Sequence, residues 1–164
     1  MIRRADTRDA AAVGELWLQS FRAALPSVRA VHTDDQVRGW IRDVVIGRHE
    51  TWVICVDDEI VGMMSFDGGD IDQLYLAPSR RGQGFGDRLI AHAKARHPEG
   101  LSLWTFQVNT AAVRFYHRHG FREIVRTDGS HNEEHEPDIQ MKWTPERRRF
   151  RLTRPCRDAD RSTR

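Results

Sequence analysis

The stretch from Ile71 to Ile90, IDQLYLAPSRRGQGFGDRLI, constrains the fold more than any other part of the chain. An apolar run at Ile71, Leu74 and Leu76 stops at Pro78, a turn rich in glycine and arginine follows, and a helical pattern opens at once. Gly82, Gly84 and Gly86 leave no side chains between the backbone and a ligand. Successive N–H groups there converge on an anion at the positive end of the helix. The turn therefore suits a phosphate or pyrophosphate. Taken alone, it fits an ordinary strand-to-helix connection equally well.

A chain of 164 residues has the length of one domain and can bury a substantial core. No apolar run approaches the ~20 residues of a membrane span, and Met1 leads into Arg3, Arg4 and Asp6 rather than a signal-peptide core. A cytoplasmic protein is expected, with no membrane partner. The two cysteines make no disulfide framework; Cys55 reads as a buried thiol in a strand, and Cys156 lies in the C-terminal segment. The net charge of +2 is a sum over unlike parts. Thr144 to Arg164 carries eight arginines against Glu146, Asp158 and Asp160, which leaves −3 on residues 1–143. The expected organisation is a domain over residues 1–143 and a basic, disordered tail over 144–164.

Along the chain, Ile2–Ala5 reads as an edge strand, and Ala10, Val13, Leu16, Trp17 and Phe21 recur at helical spacing up to Pro26. A second helix is expected after Thr33, with Val37, Trp40, Ile41 and Val44 on one face and Asp34 and Asp35 in its first turn. These helices and their linker, Leu25 to His32, are candidates for a substrate wall. Thr51–Val56 and Ile60–Phe66 form a hairpin pattern, Asp70–Leu76 leads into the glycine turn, and a helix spans about Gly84 to His97. Leu101–Val108 is the next strand, Asn109 or Thr110 caps a helix over Ala111–His119, and Gly120 ends it. Phe121–Arg126 and Ile139–Trp143 are the last strands, separated by an acidic loop holding Glu133, Glu134 and Glu136.

RRGQGFG followed by NTAAVRFYHRHGF resembles the GNAT acetyltransferase superfamily. Its first motif, Q/R-x-x-G-x-G/A, is matched by Arg81, Gly84 and Gly86; its second, an asparagine seven residues before a tyrosine and then G-F, by Asn109, Tyr116, Gly120 and Phe121. The glycines do not fit the dinucleotide frame G-x-G-x-x-G, because Asp87 takes its last glycine position. The resemblance covers roughly residues 1–143. It implies an α/β fold with a mixed, largely antiparallel central sheet of about seven strands flanked by about four helices.

The implied reaction moves an acetyl group from acetyl-CoA to an amine by direct attack. By the same resemblance, backbone groups of Leu74, Tyr75 and Leu76 hold the pantetheine arm like an added strand. The turn of Arg81, Gly82, Gln83, Gly84, Phe85 and Gly86 holds the pyrophosphate, and Asn109 reaches the arm. Phe115 packs either beside that arm or in the core. A backbone N–H near Leu76 serves the developing oxyanion. Tyr116, a phenol of pKa ~10, is the candidate acid for the departing thiolate. The strand LSLWTFQV lacks the carboxylate that some relatives carry as a base. Asp72 is the replacement candidate, with Glu133 and Glu134 as alternatives that could equally attract a cationic acceptor.

The acidic body favours a small cationic amine, a polyamine, an aminoglycoside-like compound or a protein amino terminus. His131 and His135 among glutamates lack metal-site spacing, so no metal is expected. His117 and His119 read as surface residues. Other readings stay open: a CoA-binding module without catalysis, a nucleic-acid or ribosome contact through the arginine tail, and a homodimer through edge strands.

Overall fold

The computed structural model describes residues 1–145. The expected tail lies outside the described residues except for Thr144 and Pro145, as does Cys156. Seven strands form one sheet in the order β1-β2-β3-β4-β5-β7-β6. They are β1 (Ile2–Arg4), β2 (Glu50–Val56), β3 (Glu59–Asp67), β4 (Asp70–Leu76), β5 (Leu101–Phe106), β6 (Arg122–Arg126) and β7 (Asp138–Trp143). Every pairing is antiparallel except β4 with β5. Four helices cover the faces: α1 (Ala10–Ala24), α2 (Asp34–Trp40), α3 (Phe85–Arg96) and α4 (Thr110–Arg118). Among the described residues no helix is long and apolar enough to cross a membrane.

Local chemistry sets most of these boundaries. Asp6 accepts from Arg8 N–H and, with Asp9, boxes a short 3-10 turn that leads into α1. Thr33 and Gln36 form the same reciprocal cap on α2. Asp57 and Asp58, both at positive φ, make the two-residue turn that closes the β2–β3 hairpin. His97 follows the last turn of α3 just before Pro98, which cannot continue a helix.

Alternation along β3 and β4 divides the core into two layers. Met64, Phe66, Ile71 and Leu74 pack with α3 and α4 residues Leu89, Ile90 and Tyr116. Met63 and Tyr75 pack with Val13, Leu16 and Val37 of α1 and α2. Two details depart from the sequence pattern. α2 runs into a π-helical turn over Ile41–Ile46, which rotates the inward face so that Val45 is fully buried and Val44 is not. Cys55 is only half-buried, because β2 has a register shift between Ile54 and Cys55 and the residue lies near the hairpin end.

Candidate active site

The site begins where β4 and β5 part. Their parallel pairing covers only Asp70 with Ser102 and Ile71 with Leu103, and β4 then runs on to Leu76 without this neighbour. Toward β3 the ladder continues, and Ala77 N–H donates to Val61 C=O at 2.9 Å. By antiparallel alternation Tyr75 also points its backbone groups at β3, so Leu74 and Leu76 point theirs into the gap. The Leu76 carbonyl is taken by the Ser20 hydroxyl of α1. The Leu76 N–H and both polar groups of Leu74 are thus left on an open strand edge.

A bulge lies at the point of divergence. Ser65 faces Gln73 but Phe66 faces Ile71, so Asp72 is the extra residue on β4. Ile71 stays in the α3/α4 layer, whereas Asp72 and Gln73 meet groups on the α1/α2 side. Gln73 Oε1 accepts from Trp17 Nε1 at 2.8 Å. Asp72 Oδ2 accepts from the buried Ser65 hydroxyl at 3.3 Å and lies 3.3 Å from His49 Nδ1, which is off the line of a hydrogen bond. His49 leaves the end of the π turn, 23 residues upstream of Asp72, so no local spacing announces it.

Behind the gap stands the glycine turn. Gly82 (φ 73°) and Gly84 (φ 80°) occupy the left-handed region, and Gly84 gives α3 no side-chain cap. Among the described residues no hydrogen bond occupies the N–H groups of Gly82 to Gly86. Those amides at a helix start make a cradle for an anion. At Gly86 a Cβ would lie 3.0 Å from the Phe115 ring and 3.4 Å from Leu76 Cδ1, so glycine lets α3 close onto α4 and the end of β4. Phe115 is therefore a packing residue beside the cradle. Gln83 turns its amide back to the Ser79 carbonyl at 3.1 Å. Phe85, the first residue of α3, packs against the core and lies under the Arg88 guanidinium. Arg81 donates to the Ser20 carbonyl at 3.1 Å, so its side chain braces α1 instead of facing the cradle.

Asp87 would repel an anion from the first turn of α3. It is engaged instead by Arg118 Nη2 and His119 Nε2, each at 2.8 Å, and the Arg118 bond first, then His119, holds its carboxyl below the usual range. His119 is thus a bridge between α3 and α4 rather than a free surface residue.

The cleft at the split encloses about 530 Å³, and its wall includes Asp72, Tyr75, Asn109, Tyr116 and Glu134. The Tyr116 side chain is buried, and desolvation pushes its phenol well above the usual range. Tyr75 is pushed up as well, by burial first and then by nearby Tyr116, Glu134 and Asp72. Trp17 stacks on Phe21 at 4.9 Å and tilts against Tyr75 at 5.4 Å, which makes the α1 side of the cleft an aromatic wall.

Asn109 lines the cleft but also caps α4, its Oδ1 accepting from Ala112 N–H at 3.2 Å. Asn109→Ala should cost about 1 kcal/mol from the lost cap, lowering the melting temperature by about 2–4 °C for a chain near this size. A thermal melt without ligand checks it. The two glutamates expected to act alike are separated. Glu133 pairs with His32 at the surface, 2.7 Å away, whereas Glu134 turns into the cleft. Asn132 pins their loop by donating to Glu136 C=O and Asp138 Oδ2. Among the described residues no group of three or more His, Cys, Asp or Glu side chains is placed to hold a metal.

Comparison with known proteins agrees with this geometry. Residues 47–123 match the family model described as an acetyltransferase (GNAT) domain. The chain is 31% identical over 125 residues to the peptidyl-lysine N-acetyltransferase YiaC of Escherichia coli K12, covering 76% of this chain and 84% of that one. The solution structure of apo YjaB from Escherichia coli superposes with a TM-score of 0.74 at 25% identity, over 88% of this chain and 97% of that one. In fold the chain is also similar to the PaiA N-acetyltransferase of Thermoplasma acidophilum, solved with coenzyme A (TM-score 0.67, 19% identity, 88% and 98% coverage).

Proposed function

The chain belongs to the GNAT superfamily of acetyl-CoA-dependent N-acetyltransferases, and on that premise we propose that its acceptor is the side-chain amine of a lysine within a peptide or protein. The observation that carries this reading is a cleft open to both layers at the β4/β5 split. The α3/α4 layer supplies an anion cradle, and the α1/α2 layer supplies aromatic rings and carboxylates suited to an alkylammonium group. Two relatives named as peptidyl-lysine acetyltransferases support lysine over the other cationic amines.

Bound acetyl-CoA supplies a thioester carbonyl open to attack. The amide cradle of Gly82 to Gly86 fits its pyrophosphate, because those N–H groups have no acceptor within the described residues and Gly82, Gly84 and Gly86 bring no side chain of their own. The open edge at Leu74 and Leu76 holds the pantetheine arm in the manner of an added strand. The Asn109 amide nitrogen, on the cleft wall, donates to the same arm. Leu76 N–H, aimed into the gap, donates to the carbonyl oxygen as negative charge develops there.

The acceptor approaches from the α1/α2 side, where Glu134 attracts its cation. A lysine amine with pKa ~10.4 is protonated at pH 7 and must lose that proton before attack. Asp72, turned to this side by the bulge, accepts it through water. As the new N–C bond forms and the C–S bond breaks, the electron pair leaves on sulfur. Tyr116, kept neutral by burial, donates its proton there, and the second proton, shed by the nitrogen as it becomes an amide, returns through water to restore the phenol.

The test follows thiol release from acetyl-CoA with a lysine peptide, the same peptide already acetylated, and a polyamine. Release with the free lysine peptide alone is expected; release with the polyamine alone overturns the acceptor. Asp72→Asn should lower kcat/KM at pH 7 by about 10²-fold. That deficit should shrink as pH approaches the amine's own pKa. A deficit constant with pH would remove Asp72 from proton transfer.

A further inference from the structure

A second cavity of about 210 Å³ opens beside the cleft, and Trp17, Phe21, Leu25 and Glu134 line both. It is smaller than the ~300–1,000 Å³ of a drug-sized ligand site, so it fits one side chain. Leu18, Val28, Val31 and Val37 add further apolar lining. The charged groups at its rim are occupied with one another: Arg22 pairs with Asp34, and His32 with Glu133. Glu134, on the shared wall, makes no ion pair or hydrogen bond among the described residues.

We infer that this cavity binds an apolar side chain adjacent to the target lysine, so that the enzyme selects acceptors in which an aliphatic or aromatic residue flanks the amine. The inference rests on the lysine reading above and adds sequence selectivity to it. Continuity decides the occupant. An acceptor whose amine lies between Glu134 and Asp72 places its neighbouring residue past Trp17 and Phe21, over an opening whose rim charges Arg22, Asp34 and His32 are already paired. A glycine there leaves the apolar wall wet, whereas a leucine dries it. The 26–33 linker, which carries Val28, Ala30, Val31 and His32, is therefore the specificity element.

The experiment uses glycine-rich peptides with one lysine and one leucine, phenylalanine or aspartate at each of the two flanking positions on either side. Leucine or phenylalanine at one of these positions should raise kcat/KM about tenfold over glycine, in line with burial of one apolar side chain. Ala30→Trp fills the cavity from an exposed position and should bring the leucine-to-glycine ratio to about one. Val31→Glu, also at an exposed position, should do the same by charging the wall. An acetyl-CoA-induced rise in melting temperature confirms that each variant is folded. Equal kcat/KM for all flanking residues overturns the cavity's role and leaves the lysine reading standing. A preference retained in both variants overturns it too. No release with any peptide, while acetyl-CoA still raises the melt, overturns the lysine reading and this inference with it.

Discussion

Replacing Tyr116 with phenylalanine should lower kcat by about 10²-fold or more while the dissociation constant for acetyl-CoA stays within about twofold. The reason is the position of the hydroxyl. Tyr116 lines the cleft from α4, and its ring packs edge-on against Phe115 and Phe121, so the ring holds its place without the oxygen. The variant loses a proton donor and little else. Melting temperature should hardly change, because no hydrogen bond to another described residue is lost.

The pH profile adds a second readout. Burial raises the phenol's pKa, so the native state holds this proton more tightly than the unfolded chain. The resulting stability is complete below the unfolded value of ~10 and declines as pH rises through the native one. In the wild type, activity should therefore climb with pH as the acceptor amine deprotonates, with no descending limb below about pH 10. A fall in kcat between pH 7 and 9 would assign the donor to another group, as would a Tyr116→Phe enzyme of normal turnover.

Gly84→Val should raise the dissociation constant for acetyl-CoA at least tenfold, about 1.4 kcal/mol. Gly84 holds φ at 80° immediately before α3, a conformation that costs a side-chain-bearing residue about 1–2 kcal/mol. The turn either keeps that strain or relaxes and splays the N–H groups of Gly82 to Gly86. In the second case the cradle is lost. At a ligand concentration 100 times the wild-type constant, binding adds about 2.7 kcal/mol of stability. A tenfold weakening halves this, and the ligand-induced rise in melting temperature should halve with it. An unchanged rise would detach the glycine turn from acetyl-CoA binding.

Much of the architecture was legible because its signals are local. The caps at Asp6, Thr33 and Asn109, the stop at Pro98 and the alternating strands place nearly every element within two residues of its expected ends. The glycine turn was legible for the same reason. What misled was a change of period inside one element: an ideal 3.6-residue repeat puts Val44 inward, but a π turn inserts extra rotation and buries Val45. Asp72, Asn109, Tyr116 and Glu134 were named from the sequence and line one cleft, but their arrangement in it was not legible. Arg81 matches its motif, yet its guanidinium reaches Ser20. Glu133 and Glu134 are sequence neighbours of the same charge, and the loop sends one to a surface pair with His32 and the other into the cleft.

The sequence by itself determined the order of elements and the glycine turn, and its resemblance to the family's asparagine-to-tyrosine motif named Tyr116 as the candidate acid. The elements and the turn depend on residues close along the chain, where backbone geometry and side-chain type suffice. Only the tertiary structure decided that Asp72 faces the α1/α2 side next to His49, that Trp17 and Phe21 wall that side, and that Glu134 joins two cavities. Those relations join segments tens of residues apart. They follow from one extra residue in a strand and from the early parting of β4 and β5, which the packing of both layers sets and no local pattern encodes.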